Sequence, residues 1–283
     1  MKLNFSEKTI LDLTTPAVMG ILNLTANSFY AKTRTTDPSK ALAIALQMQD
    51  EGADIIDIGA EATNPQIDPI TAAQEELKYL LPVLEKIVPH LNIPISVDTS
   101  KPEVMQVVVA AGASLINDVR GLRWPGAVEM AAKLNVPICI MHMAQPFAKQ
   151  AREQKTQPYQ TIVPSLIDFF QQRIQTCLQQ GIAKQQLIID PGFGGGCFGK
   201  STQENLYLLS QLSRFSCFDL PILVGLSRKT FIGEICEAQV DTRLAGSLAA
   251  LKIACDNGAN ILRVHDVKAT RDYLKFHQKV MEV

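Results

Sequence analysis

The sequence has no C-x-x-C pair, no extended run of charge of one sign and no apolar stretch approaching the length of a membrane span. Each absence removes a class of protein. Six cysteines, Cys139, Cys177, Cys197, Cys217, Cys236 and Cys255, are scattered singly, and none stands near a histidine at zinc-site spacing. Isolated thiols in a chain of this size argue against a disulfide scaffold or structural zinc and fit a reducing, cytoplasmic setting. Lysine and arginine number 27 against 28 acidic residues, a net charge of −1, which leaves no electrostatic footprint for nucleic acid or an acidic membrane surface. An anionic substrate would have to be held by a few local cations. Met1 to Pro16 contains Glu7, Lys8 and Asp12 and lacks an apolar core, so no secretory signal is expected there.

What is present is one repeating unit: a short apolar run, a polar or glycine-containing turn, and a helix-length segment. The runs are Ala17–Leu22, Ile55–Ile58, Ile93–Val97, Leu115–Ile116, Val136–Met141, Leu187–Ile189, Ile222–Leu226 and Ile261–Val264. Short apolar runs between helical stretches indicate parallel strands buried on both faces, and eight of them is the count of a (β/α)8 barrel. Helical periodicity appears in Pro38–Glu51, Ser165–Gln180 and Ala245–Asn257. Turns before strands repeat a signature: Gly52-Ala53, Gly112-Ala113, Gly181-Ile182 and Gly258-Ala259. With no linker and no low-complexity segment, the expectation is an α/β chain forming a single TIM barrel domain over residues 1–283. Gln145–Pro164, the longest polar stretch, is expected to be a mobile excursion after the fifth strand.

Polar residues stand at the ends of the apolar runs or just after them: Asn23, Asp57, Asp98, Asn117, His142, Asp190, Ser227 to Lys229, Arg263 and His265. In a barrel these stand at the C-terminal mouth, where active sites are built. Any one could be a buried structural polar, and Asp57 fits that reading best. Together, Asp98, Asn117 and Asp190 supply the carboxylate and amide groups that recognise the edge of a flat heterocycle. Arg228, Lys229, Arg263 and His265 make a cationic side suited to phosphate. Gly194 to Ser201 also fits the phosphate-loop pattern G-x-x-x-x-G-K-[ST], which offers a nucleotide-binding module as a rival. Against it stands the position of the match, after the sixth strand of a barrel pattern and behind Asp190-Pro191.

The motifs in order resemble the dihydropteroate synthase family over nearly the whole chain. They are Met19-Gly20-Ile21-Leu22-Asn23-Leu24-Thr25, Ser96-Val97-Asp98-Thr99-Ser100-Lys101-Pro102-Glu103-Val104, Ile116-Asn117-Asp118-Val119-Arg120, Met141-His142-Met143, Asp190-Pro191-Gly192-Phe193-Gly194, Ser227-Arg228-Lys229 and Arg263-Val264-His265-Asp266-Val267. The resemblance implies displacement of pyrophosphate from 6-hydroxymethyl-7,8-dihydropterin pyrophosphate by p-aminobenzoate in folate biosynthesis, with strong SN1 character. It implies that Asp98, Asn117, Asp190 and Lys229 hold the pterin, and that Met141 and Phe198 line its pocket and the neighbouring loop. It places Asn23, Arg263 and His265 at the pyrophosphate and Mg²⁺ end, with Asn23 as the metal ligand. Thr63 and Ser227 lie near the p-aminobenzoate, and Arg228 packs over that pocket. Lys229, Arg263 and His265 are the catalytic candidates. The resemblance also implies a homodimer, a sulfonamide target, small-molecule partners and neither nucleic acid nor membrane.

Three departures stand out. The first loop reads Thr25-Ala26-Asn27-Ser28-Phe29, where the family has an aspartate at position 27. The second reads Ala62-Thr63-Asn64-Pro65, where the family has an arginine at position 64. The third carries Gly195 to Cys197 as additional residues before Phe198-Gly199-Lys200. The second and third changes are similar to the sulfonamide-insensitive members. A catalytically weak pterin-binding paralog and a pterin-binding methyltransferase barrel are the alternatives.

Overall fold

The computed structural model describes residues 1–5, 9–24, 35–60, 72–144 and 158–282. The chain opens with a short antiparallel pair, β1 (Lys2–Asn4) and β2 (Ile10–Asp12), for which the periodicity gives no signal. Eight parallel strands follow: β3 (Ala17–Asn23), β4 (Ile55–Gly59), β5 (Ile95–Asp98), β6 (Leu115–Asp118), β7 (Ile138–Met141), β8 (Leu187–Asp190), β9 (Leu223–Val224) and β10 (Ile261–Val264). They lie in the order β8-β7-β6-β5-β4-β3-β10-β9. A parallel bridge from Ile189 to Ile222, with the Ile189 amide donating to Pro221 at 3.0 Å, joins β8 to the segment entering β9 and closes the barrel.

The strands match the eight apolar runs, with trimmed ends where proline intervenes. Pro94, Pro137 and Pro221 have no amide proton to donate to a ladder, so β5, β7 and β9 begin after them. The seventh run is shortened most, because beyond Val224 the chain turns, with the Lys229 amide reaching the Leu226 carbonyl at 3.3 Å.

Helices follow the strands: α1 (Pro38–Asp50), α2 (Ala73–Ile87), α3 (Pro102–Ala110), α4 (Ala127–Leu134), α5 (Ile162–Gln179), α6 (Thr202–Ser210), α7 (Thr230–Ile235), α8 (Leu244–Asp256) and α9 (Val267–Met281). The repeated glycine pairs end α1, α3, α5 and α8. In each, the glycine adopts a positive φ, between 90° and 109°. The next residue's amide then bonds the carbonyl five positions back, as Ala53 to Met48 at 2.8 Å and Ala259 to Ala254 at 2.9 Å. Only glycine takes that backbone conformation without strain, and the apolar residue after it is buried at every one of the four turns. The expected excursion Gln145–Pro164 is corrected at its end, since Ile162–Pro164 forms the first turn of α5, where proline has no intrahelical bond to lose. Residues 145–157 lie outside the described residues.

Strand residues facing the helices form one large apolar cluster that includes Ile56, Ile58, Val97, Ile116, Ile140 and Ile189. Alternate residues turn into the barrel. At its N-terminal end Met19, Ile55, Leu115, Cys139, Ile188, Leu223 and Ile261 meet Leu3, Phe5 and Leu13 in a second cluster. The N-terminal antiparallel pair thus plugs that end, and the opposite end is left to polar side chains.

Candidate active site at the barrel mouth

The period of two along a strand sets the site. Asp57 stands two residues beyond Ile55, Asn117 beyond Leu115, Met141 beyond Cys139, Asp190 beyond Ile188 and Arg263 beyond Ile261. Register aligns them: Asp98 pairs with Asn117 and Met141 with Asp190.

Asp57 is the hub. It is fully buried, and its carboxylate accepts from Ser96 Oγ at 2.6 Å, Arg263 Nε at 2.6 Å and Asn117 Nδ2 at 3.3 Å. Arg263 Nη2 also reaches Asp98 at 3.3 Å. Burial opposes the charge on Arg263, but Asp57 and Asp98 outweigh it and hold the guanidinium pKa above its ordinary value. Because Nδ2 of Asn117 faces a carboxylate, its Oδ1 points elsewhere, and that oxygen is buried with no hydrogen-bond partner among the described residues. A buried acceptor without a donor is costly, so it marks a place where a ligand N–H belongs. Asp57 is therefore both the structural polar the sequence suggested and the group that aims Arg263 and Asn117. Its role was hidden because Arg263 lies 206 positions away in the chain.

Asp190 is buried and accepts from the Gly192 amide at 2.8 Å. Burial raises its pKa to about 6 against the pull of that amide, Lys229, Arg263 and Lys200. Lys229 is half-buried, its ammonium pushed down to about 8 by desolvation and then by Arg263, with Asp190 acting in the other direction. Its Nζ stands 4.0 Å from the Phe198 ring centroid, a cation–π contact. Phe198 in turn packs on a small apolar cluster of Met141, Val119 and Met143.

The cationic side differs from the sequence expectation. Arg228 adopts a positive φ of 57°, and its guanidinium pairs with both Asp266 oxygens at 2.8 Å and donates to the Val240 carbonyl at 2.6 Å. It braces the turn after β9 against the start of α9. His265 is uncharged: burial, followed by Arg263, Arg228 and Lys229, drives its pKa down to about 3. Its Nδ1 stands 3.1 Å from Ser227 Oγ. Arg263 and Lys229 thus face both Asp190 and Asp98 at the mouth. Asn23 ends β3, half-buried, with its carbonyl accepting from Thr35 at 2.9 Å. Thr63, and with it Ala26, Asn27 and Asn64, lies outside the described residues.

Two neighbours emerge only from the structure. Asp118, next to Asn117, accepts from Ser100 Oγ at 2.5 Å and from the amides of Arg120 at 2.8 Å and Leu122 at 2.9 Å, which ties the turn after β6 to the turn carrying Asp98. Lys200, in the phosphate-loop match, is 2% exposed and turns inward to the Gly192 carbonyl at 2.7 Å. A lysine so buried is not displayed to a nucleotide phosphate, and the rival reading loses its central residue. Among the described residues no group of three or more His, Cys, Asp or Glu could hold a metal ion, and no helix is long and apolar enough to cross a membrane.

Comparison with known proteins gives one consistent result. Residues 19–265 match a family model described as pterin binding enzyme. The chain is 46% identical over 279 residues to a dihydropteroate synthase of Haemophilus influenzae, covering 98% of each chain. Its fold is similar to a Yersinia pestis dihydropteroate synthase solved with a sulfonamide drug complex, at a TM-score of 0.91 and 40% identity over 100% of this chain and 99% of the other. It is also similar to a Xanthomonas albilineans dihydropteroate synthase solved in complex with 7,8-dihydropteroate, at a TM-score of 0.85 and 42% identity with the same coverage.

Proposed function

The chain belongs to the pterin-binding enzymes, in their dihydropteroate synthase branch, and from that premise we propose how its own residues divide the work. The enzyme is a transferase: p-aminobenzoate displaces pyrophosphate from the methylene carbon of 6-hydroxymethyl-7,8-dihydropterin pyrophosphate, giving 7,8-dihydropteroate. The C–O bond to pyrophosphate breaks, a C–N bond forms, and the arylamine loses a proton.

The observation that carries the assignment is the pairing of two buried carboxylates, Asp98 and Asp190, with the orphaned Asn117 Oδ1. Each carboxylate can accept further bonds beyond those from Arg263 and the Gly192 amide, and with Asn117 Oδ1 they present acceptors to the N–H edge of a pterin. Met141 and Phe198 supply an apolar floor and wall, and Lys229 adds a donor beside Asp190. Arg263, held by Asp57, presents its charge toward the leaving pyrophosphate, where a preorganised guanidinium stabilises developing negative charge without reorganising. Neutral His265 contributes an N–H rather than a charge, and Ser227 fixes its ring. Ser227, Arg228 and Thr63 are assigned to the p-aminobenzoate side, with Arg228 acting through the turn it braces.

Mg²⁺ is assigned to the pyrophosphate end. There the Asn23 carboxamide oxygen, at the end of β3, would hold the ion together with substrate phosphate and water. When bound, the ion would neutralise charge on the departing pyrophosphate. We further assign residues 1–283 to one domain, in the cytoplasm, working as a homodimer. Exposed Leu206 on α6, Ile235 on α7 and Ile253 on α8 supply apolar surface on one side of the barrel for that association.

The test supplies both substrates and Mg²⁺ and follows dihydropteroate by chromatography. Turnover is expected. Saturable pterin binding without product would point to the weak paralog, and no binding of either substrate would overturn the assignment.

A further inference from the structure

The loop from Gly192 to Lys200 contains Gly192, Gly194, Gly195, Gly196 and Gly199, and so has unusual backbone freedom, yet it carries Phe198, the ring beneath Lys229. Something must hold it. Lys200 Nζ meets the carbonyl of Gly192 at 2.7 Å, the carbonyl of Phe198 at 3.3 Å and Nδ1 of His142 at 3.1 Å. An ammonium has three protons to donate, and here are three acceptors. Two of them belong to the loop itself, six residues apart in the chain, and the third belongs to the residue that follows β7. His142 can serve as an acceptor because burial, then Lys200 and Arg123, depress its pKa and keep the ring neutral.

Asn205, fully buried in α6, braces the same neck from outside. Its Oδ1 accepts from the Gly194 amide at 2.8 Å, and its Nδ2 donates to the carbonyls of Lys200 at 3.2 Å and Ser201 at 2.8 Å. Inside the neck the Phe198 amide bonds Gly195 at 3.1 Å and the Gly199 amide bonds Gly196 at 2.9 Å. The fit is close: a Cβ on Gly194 would lie 3.1 Å from the Phe198 ring and 3.4 Å from Lys229 Nζ.

We propose that Lys200 is a positioning residue, its ammonium closing this loop and so holding the Phe198 ring against Lys229 at the pterin pocket. The inference rests on the pocket assignment made above for its functional half, while its mechanical half stands on the loop alone. Burying an ammonium is costly, and burial pushes the Lys200 pKa down to about 7 against the pull of Asp190 and Glu204; the three acceptors limit that cost, so the clamp is closed when Lys200 is protonated.

Three variants test it: Lys200→Met, Phe198→Ala and the double variant. Amide hydrogen exchange is measured across residues 194–199, and the dissociation constant of plain 6-hydroxymethylpterin is measured by calorimetry. Lys200→Met is expected to accelerate exchange of the Phe198 and Gly199 amides and to weaken pterin binding by roughly 10- to 100-fold, the loss typical of hydrogen bonds from a charged group. Because Lys200 acts through Phe198, the double variant should bind no worse than the weaker single variant. A residue with only a general structural role would lower stability and leave the affinity of the folded protein unchanged. Full additivity of the two losses, or unchanged exchange in Lys200→Met, overturns the proposal. If the methionine variant does not fold, the same cycle runs with Lys200→Gln, whose amide still donates, and the same non-additivity is required. A wild type that binds no pterin would contradict the functional reading, and the exchange arm would still decide the clamp.

Discussion

At the closed end of the barrel Ile55, Leu115, Cys139, Ile188 and Ile261 turn inward beneath Leu3, Phe5 and Leu13; two residues further along the same strands stand Asp57, Asn117, Met141, Asp190 and Arg263. Both layers are buried, but they meet burial in opposite ways. The closed end removes apolar surface from water, and its cluster, among the described residues, is built of apolar side chains. The mouth pairs its charges, with Asp57 holding Arg263 and Asn117, and among the described residues leaves the Asn117 Oδ1 acceptor without a donor. One layer works by area and the other by partnership, so the two should fail differently.

The difference is sharpest at Asp57. Asp57→Ala would leave Arg263 without its 2.6 Å partner, and breaking a buried pair in this way costs about 3–5 kcal/mol. Pterin binding should disappear with it, since Asn117 and Arg263 lose their aim. Denaturant titration and calorimetry on the same sample check both effects. A variant that keeps its stability would show that the mouth is not held by partnership. Leu115→Ala in the closed end should cost about 2–5 kcal/mol through the cavity it leaves, while the folded fraction binds pterin as before. Lost affinity there would mean that the two layers are mechanically coupled.

The barrel and the mouth differ in legibility as well. Parallel strands covered on both faces must be apolar throughout, so eight short runs announce themselves, and the polar residues ending them announce the mouth. Caps such as Gly52-Ala53 are legible because a single backbone angle demands glycine. Partnership is not legible. Nothing local links Arg263 to Asp57, or Arg228 to Asp266, which lies 38 positions on, so the sequence does not show that a buried carboxylate aims one guanidinium while the other is committed to the turn it braces. Lys200 fits a phosphate-loop pattern, but a pattern does not say whether its lysine points out or in. The N-terminal pair escaped because three-residue strands are too short for alternation to register. The charge state of His265 is hidden for a further reason: burial, and then three cations that converge only in the folded state, set it.

A smaller effect follows from the titrating groups of the mouth. Asp190 has a raised pKa of about 6 and must be ionised to accept from the pterin, so affinity should rise with pH through that value. Lys229, lowered to about 8, must be protonated to donate, so affinity should fall again as pH climbs through its pKa. Lys200, lowered by burial to about 7, loses its proton in the same direction, so calorimetry from about pH 5 to pH 9 should show affinity rising through the Asp190 limb and falling from about 7 upward as the two lysines deprotonate. A flat profile would remove both groups from pterin recognition.

The most direct test of the central claim, that this polar layer is the pterin site, compares wild type with Asp190→Asn in a calorimetric titration with 6-hydroxymethylpterin near neutral pH. Among the described residues the Asp190 carboxylate accepts from the Gly192 amide, a contact the Oδ1 of asparagine can keep, so replacing the carboxylate should leave thermal stability largely intact. The amide that replaces it presents a donor where an acceptor is needed, at a cost of about 1–3 kcal/mol, or roughly 5- to 150-fold in affinity. The account predicts one-site binding by the wild type and that loss in the variant at an unchanged unfolding temperature. Equal affinity in the two proteins would contradict it.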